Sequence, residues 1–240
     1  MFLKKPSPKI HASPHPQEGF TIIESLLAIF VVGILLVAIG PVLGFSAATR
    51  FQARRIELGS QAGRSYVEAL RSRSIPPPQI ATTVTATTPN AALDALRNVP
   101  VPTVTNLDCN ASSYCTSPAP NSHSSFFCVD GNNDGKCTTD QFNDFIIQAS
   151  GVQRPANPPI TDNVRRADRG YFLGIRVYRA DGFKTGSGAL QRSTDTIQTQ
   201  AKLTTGGLGN RNAPIMEFTT EITTSNTSYA DICRRLGGCQ

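Results

Sequence analysis

Residues 19–44 read GFTIIESLLAIFVVGILLVAIGPVLG. From Phe20 to Gly40 the run is apolar, and its 21 residues extend about 30 Å as a helix, close to the hydrocarbon thickness of a bilayer. A secretory signal peptide has a shorter apolar core of about 7–15 residues, although Ser46-Ala47-Ala48 loosely offers a small-residue cut. One residue breaks the pattern. Glu24 places a carboxylate inside the run, where it is costly unless it reaches the headgroups or meets a positive charge. A cut between Gly19 and Phe20 would create an α-amino group one helical turn from Glu24. The same amine on a neighbouring chain would serve as its counter-ion.

Outward from this stretch the chain changes character on both sides. Residues 1–19 carry Lys4, Lys5 and Lys9, and Pro6, Pro8, Pro14 and Pro16 forbid a helix there. Beyond Pro41, where a kink is predicted, residues 48–75 form an amphipathic continuation. Arg50, Arg54, Glu57, Gln61, Arg64, Glu68 and Arg71 recur at alternating steps of four and three, giving one polar stripe. Arg54–Glu57 and Arg64–Glu68 pairs are predicted along it, each adding about 0.2–0.5 kcal/mol. The opposite face holds Gly59, Ala62 and Gly63, thin enough for a sheet or helix to approach closely. Pro76-Pro77-Pro78 ends the helix.

The segment Gly19-Phe20-Thr21-Ile22-Ile23-Glu24 resembles the class III signal of type IV prepilins and pseudopilins: a basic leader ending in Gly, an aromatic, and Glu at the fifth mature position. Gly33 and Pro41 also fall where many type IV pilins carry Gly and Pro. The resemblance covers about residues 15–55. It implies that a prepilin peptidase cleaves after Gly19 and N-methylates Phe20, and that Glu24 recruits the subunit into a filament. It further implies an inner-membrane assembly platform and other pilins as partners, with extension and retraction driven by a separate cytoplasmic ATPase. The stretch FQARRIELGSQAGRSYVEALRSRSI is similar to cyanobacterial pseudopilins linked to hormogonium polysaccharide secretion, which implies a role in polysaccharide export and gliding motility.

The division expected is a leader at 1–19, a membrane or filament-core helix at 20–44, an amphipathic continuation at 45–75, and an exported domain at 76–240. In the last, QIATTVTATT reads as an edge strand, NAALDALRN as a short helix and 99–125 as loop. Thr138-Thr139-Asp140 is predicted to cap a helix through Gln148, since Phe142, Phe145, Ile146 and Ala149 share a face. Gly170–Tyr178, Thr194–Leu203 and Ile215–Thr224 read as strands. The predicted fold class is α+β: a long N-terminal helix packed on a C-terminal antiparallel sheet with disulfide-rich loops, the pilin-like architecture.

Cysteines fall in neighbouring pairs, Cys109/Cys115, Cys128/Cys137 and Cys233/Cys239, all after the apolar run. An even count reads as disulfides, although six cysteines allow fifteen connectivities. Disulfides place that domain in an oxidising compartment, periplasmic or extracellular, with the chain crossing the cytoplasmic membrane once. Asp130-Gly-Asn132-Asn-Asp134-Gly135-Lys136 matches the start of a calcium loop: side-chain oxygens at places one, three and five, Gly at six, and the Lys136 backbone carbonyl at seven. The twelfth place is Gln141 rather than Glu, with Asp140 and Asp144 close by. Structural Ca2+ is therefore a candidate cofactor, and an Asn/Asp/Gly turn that binds nothing is the other reading.

Composition narrows the function classes. The formal charge of +6 divides as +2 in the leader, +3 over 20–75 and +1 over 76–240, so the domain is nearly neutral. Nucleic acid is not an expected partner, because the arginine row lacks a dense basic run or interleaved aromatics. Only His123 lies outside the leader, and no GxSxG or phosphate loop occurs, so no enzyme is expected. The leading reading is a minor pilin or pseudopilin. The alternatives are a membrane-tethered, calcium-dependent adhesin and a DNA-uptake minor pilin.

Overall fold

The computed structural model describes residues 19, 21–82, 89–121, 123–156, 158–193 and 210–238. They divide into a unit ending at Ser46 and a second, compact unit spanning Ala47–Gln240. Helix α1, Ile22–Arg71, contributes to both and runs through Pro41. Its first part exposes every large apolar side chain, from Ile22 at 86% to Phe45 at 56%. An 18-residue window there has a mean hydropathy of 3.0 with none of it buried, so α1 is long and apolar enough to cross a membrane.

In the second unit, α1 turns a different face inward. Gly59, Ala62, Gly63, Tyr66, Val67 and Leu70 are buried. A Cβ on Gly59 would come within 2.9 Å of Ile215, and one on Gly63 within 3.1 Å of Val177. The thin face expected of these glycines thus receives a sheet. Glu68 pairs with Arg71 rather than with Arg64, and Arg71 also reaches Thr220 on that sheet.

The sheet is built from β1 (Ile80–Thr82), β3 (Ser125–Val129), β5 (Phe145–Gln153), β6 (Tyr171–Arg179) and β7 (Met216–Ile222). Strand β5 lies at its centre. One edge pairs antiparallel with β6, and the other is shared by β3 over residues 145–149 and by β1 over 151–153. Strand β7 continues antiparallel beyond β6. Two corrections to the sequence reading follow. The sheet is mixed, because β1 joins β5 in parallel. The segment read as a helix capped at Thr138-Thr139-Asp140 and running through Gln148 instead ends in the first four residues of β5, a strand whose nine residues are all buried. With both faces covered, a central strand loses the polar alternation that marks a half-exposed one. Strands β6 and β7 lie where Gly170–Tyr178 and Ile215–Thr224 were read. The strand read at Thr194–Leu203 lies outside the described residues.

Phe127, Ile147, Ile175 and Val177 pack with Tyr66, Val67 and Leu70 of α1 in the main core. On the opposite face, α2 (Pro89–Arg97) sets Ala92 and Leu96 against Val152. Phe126, Ile146, Tyr178 and Phe183 form a third cluster with four cysteines. Two short α-helices, α3 (Asn163–Asp168) and α4 (Tyr229–Arg235), follow β5 and β7 respectively. Ser228 and Asp231 form a capping box on α4, and Arg169–Asp231 and Arg235–Glu221 ion pairs dock it.

Candidate functional site

Two places carry chemistry: the start of α1 and a cysteine-clamped loop. At the first, Gly19 is exposed, Phe20 lies outside the described residues, and Thr21 opens the helix. The Glu24 amide donates to Thr21 Oγ1 at 3.3 Å and to the Thr21 carbonyl at 3.1 Å, satisfying one of the orphan donors of a first turn. Ser25 Oγ donates to the Ile22 carbonyl at 2.8 Å. The Glu24 carboxylate therefore projects from a first turn whose remaining neighbours are exposed apolar side chains.

At the second, Cys109–Cys115 and Cys128–Cys137 are bonded. Cys233 is also disulfide-bonded, while Cys239 lies outside the described residues. The bridges are linked by a small ladder in which β2 (Cys109–Asn110) faces β4 (Lys136–Cys137), with Cys109 opposite Cys137. Between Cys128 and Cys137 the chain turns sharply, with Asn133 at φ 59° and Gly135 at φ 92°. Asp130 organises the turn. Its Oδ1 accepts from the Asn132 and Asn133 amides at 3.0 and 2.7 Å, and its Oδ2 from the Gly135 amide at 2.8 Å. Asn132 Nδ2 donates to Asp134 Oδ2 at 3.0 Å, and Asp134 Oδ1 accepts from the Lys136 amide at 3.1 Å. Lys136 itself is drawn into β4 opposite Asn110.

Behind the turn sits Asp144, fully buried. Its two oxygens accept from the Gly131 amide at 3.2 Å and the Thr138 amide at 3.1 Å, tying both ends of the loop together. Burial raises its carboxyl above the usual range, and the charges of Asp130 and Asp134 push the same way against those two amides. Asp130 moves oppositely. Desolvation works against its ionisation, but the backbone amides of Gly135, Asn132, Asn133 and Asp134 outweigh it and hold the carboxyl low. Asp130 thus stabilises the fold above the ordinary carboxylate range and loses that effect as pH falls through its lowered value. Asp144 favours the fold most when neutral, and its contribution fades as pH rises through its raised value.

Asp130, Asn132, Asp134 and the Lys136 backbone are thereby brought onto one turn, with Asp144 as the residue that spacing alone leaves in the background. Their donor set is hard oxygen, suited to calcium. In the arrangement described, the Asn132 amide group presents nitrogen to Asp134, so that side chain must turn over for its oxygen to join. Among the described residues, no group of three His, Cys, Asp or Glu side chains is placed to hold a metal.

Residues 14–40 match the prokaryotic N-terminal methylation motif. The chain carries that motif. It spans Gly19, Phe20 and Glu24, and it supports a type IV pilin-like protein processed by prepilin peptidase. No curated protein and no solved structure matches the chain significantly.

Proposed function

We propose that this chain is a minor pilin or pseudopilin: a structural subunit cleaved after Gly19, methylated on Phe20, and assembled with other pilins on an inner-membrane platform. The observation that carries the reading is the coincidence of the methylation motif at 14–40 with a fully exposed apolar helix that holds Glu24 in its first turn. In a filament, the Glu24 carboxylate would answer the Phe20 amine of the neighbouring subunit, removing two charges from an apolar surround at once. Bonded cysteines favour an exported domain, periplasmic or extracellular. The machine we assign is one that supports polysaccharide secretion and motility.

Mass spectrometry of the mature protein tests the processing. A methylated Phe20 terminus is expected; a retained leader, or a cut after Ala48, contradicts the reading. Glu24→Ala should be processed normally yet reach the sheared filament fraction at a small fraction of the wild-type amount. Incorporation at the wild-type level would remove Glu24 from assembly.

We further propose that the clamped loop takes one structural Ca2+ through Asp130, Asp134, Asn132 and the Lys136 carbonyl. Favouring this is Asp144, a buried carboxylate that ties the loop's ends together and lies close enough to feel both other acids. Calcium should raise the melting temperature of the detergent-solubilised chain near neutral pH, and less so in acid as the carboxyls take up protons. A shift that persists in the Asp130→Ala/Asp134→Ala variant, or no shift at all, leaves the loop a turn stabilised by its own amides.

A further inference from the structure

Between Ser25 and Ile56 the sequence has no carboxylate, and its only charges are Arg50, Arg54 and Arg55. All three lie on α1 just after the apolar run. In any conformation, the six residues from Gly44 to Arg50 span no more than about 20 Å. Arg50, Phe51 and Arg54 are exposed, Phe51 at 67%, a large ring that the core does not use. A second ring arrives from far along the chain. Phe142, next to the clamped loop and 49% exposed, lies 5.0 Å from the Arg55 guanidinium carbon in a cation–π contact. Two exposed aromatic rings and three guanidiniums are thus gathered by residues 50–55 of α1 and the Arg55–Phe142 contact, a few residues in sequence after the apolar segment.

We propose that Arg50, Phe51, Arg54, Arg55 and Phe142 form a contact for anionic lipid headgroups. Guanidinium forks match phosphate oxygens, and aromatic rings settle at the headgroup boundary. Basic residues beside a span are drawn to an anionic leaflet at close range. Covalent attachment to the span keeps the patch at that surface. The contact belongs to the subunit while it resides in the bilayer, and it must be given up when the subunit leaves for a filament. The proposal rests on residues 20–44 being a membrane span.

The chain contains no tryptophan, so Phe142→Trp supplies a single reporter at the patch. The full-length variant is placed, one chain per disc, in nanodiscs of brominated phosphatidylcholine with or without phosphatidylglycerol. Emission should be quenched in the anionic discs and restored by high salt. In an Arg50→Gln/Arg54→Gln/Arg55→Gln background the contact should weaken about fivefold for each guanidinium lost. Equal quenching without phosphatidylglycerol, or quenching that survives the triple substitution, overturns the proposal. Quenching or a spectral shift that requires two chains per disc assigns the patch to self-contact instead and also overturns it. A chain that fails to enter discs refutes the span itself. Phe51→Trp, at an exposed helical position, repeats the measurement independently of the loop.

Discussion

Replacing Arg176 with methionine is expected to destabilise the protein by about 3–5 kcal/mol, the largest single effect predicted here. Arg176 is only 4% exposed, and its guanidinium is fully committed. Nε donates to Glu217 at 2.6 Å. Nη1 donates to the Val99 carbonyl and to Gln148 Oε1 at 2.9 and 3.2 Å. Nη2 donates to the Arg97 and Leu96 carbonyls at 2.8 and 3.4 Å. Those carbonyls lie at and just beyond the end of α2, where a helix leaves acceptors without intrahelical donors. One side chain therefore caps α2, neutralises a carboxylate on β7 and holds both against β5. Methionine fills most of the volume but removes all five of these hydrogen bonds, leaving Glu217 with the Ser193 amide, the Arg97 carbonyl with Arg192 and the Leu96 carbonyl with the Val99 amide. Thermal unfolding of the detergent-solubilised chain should show a fall in Tm of about 10 °C. Arg176→Lys should be intermediate, since it keeps the charge and loses the fork. A Tm within about 2 °C of wild type for the methionine variant would show that water serves these groups equally well.

Removing the Cys128–Cys137 bridge by paired alanines is the second large effect. Closing a loop of this length restricts the unfolded chain by about 3 kcal/mol. The bridge also joins two buried positions, Cys128 at 0% and Cys137 at 2% exposure, so the third core cluster loses packing as well. The loop is held independently by the β2–β4 ladder and by the two amides bound to Asp144. The double variant should therefore fold with its sheet intact and melt lower, and residues 129–136 should become the first site cut in limited proteolysis. An unchanged melting temperature would mean that the ladder and Asp144 alone define the loop.

The N-terminal half of α1 is legible in the sequence because a bilayer-length apolar run has few structural meanings, and a carboxylate at a fixed distance from Gly-Phe has fewer. Strand β6 is legible from its β-branched and aromatic residues, and α1 ends shortly before Pro76-Pro77-Pro78. Strand β5 is not legible, since FIIQASGVQ is buried on both faces and its apolar spacing matches a helix as well as a strand. β3, the five-residue run SFFCV, passes unassigned for the same reason. The buried polar network escapes altogether. Arg176 meets partners 28 to 80 residues away, and no local pattern announces a guanidinium destined for the interior. At the candidate loop, spacing identifies Asp130, Asn132 and Asp134. Asp144 gains its role only because β5 begins immediately after it and carries it beneath the turn.

The two neighbouring bridges have a consequence for how damage to this protein is seen. A protease that cuts between Asn110 and Tyr114, or between Val129 and Lys136, severs the backbone inside a covalent ring. The pieces stay joined, the ladder between Cys109 and Cys137 keeps its register, and the nicked molecule migrates as an intact one until thiols are added. In an environment rich in secreted proteases, this region can be clipped without being shed.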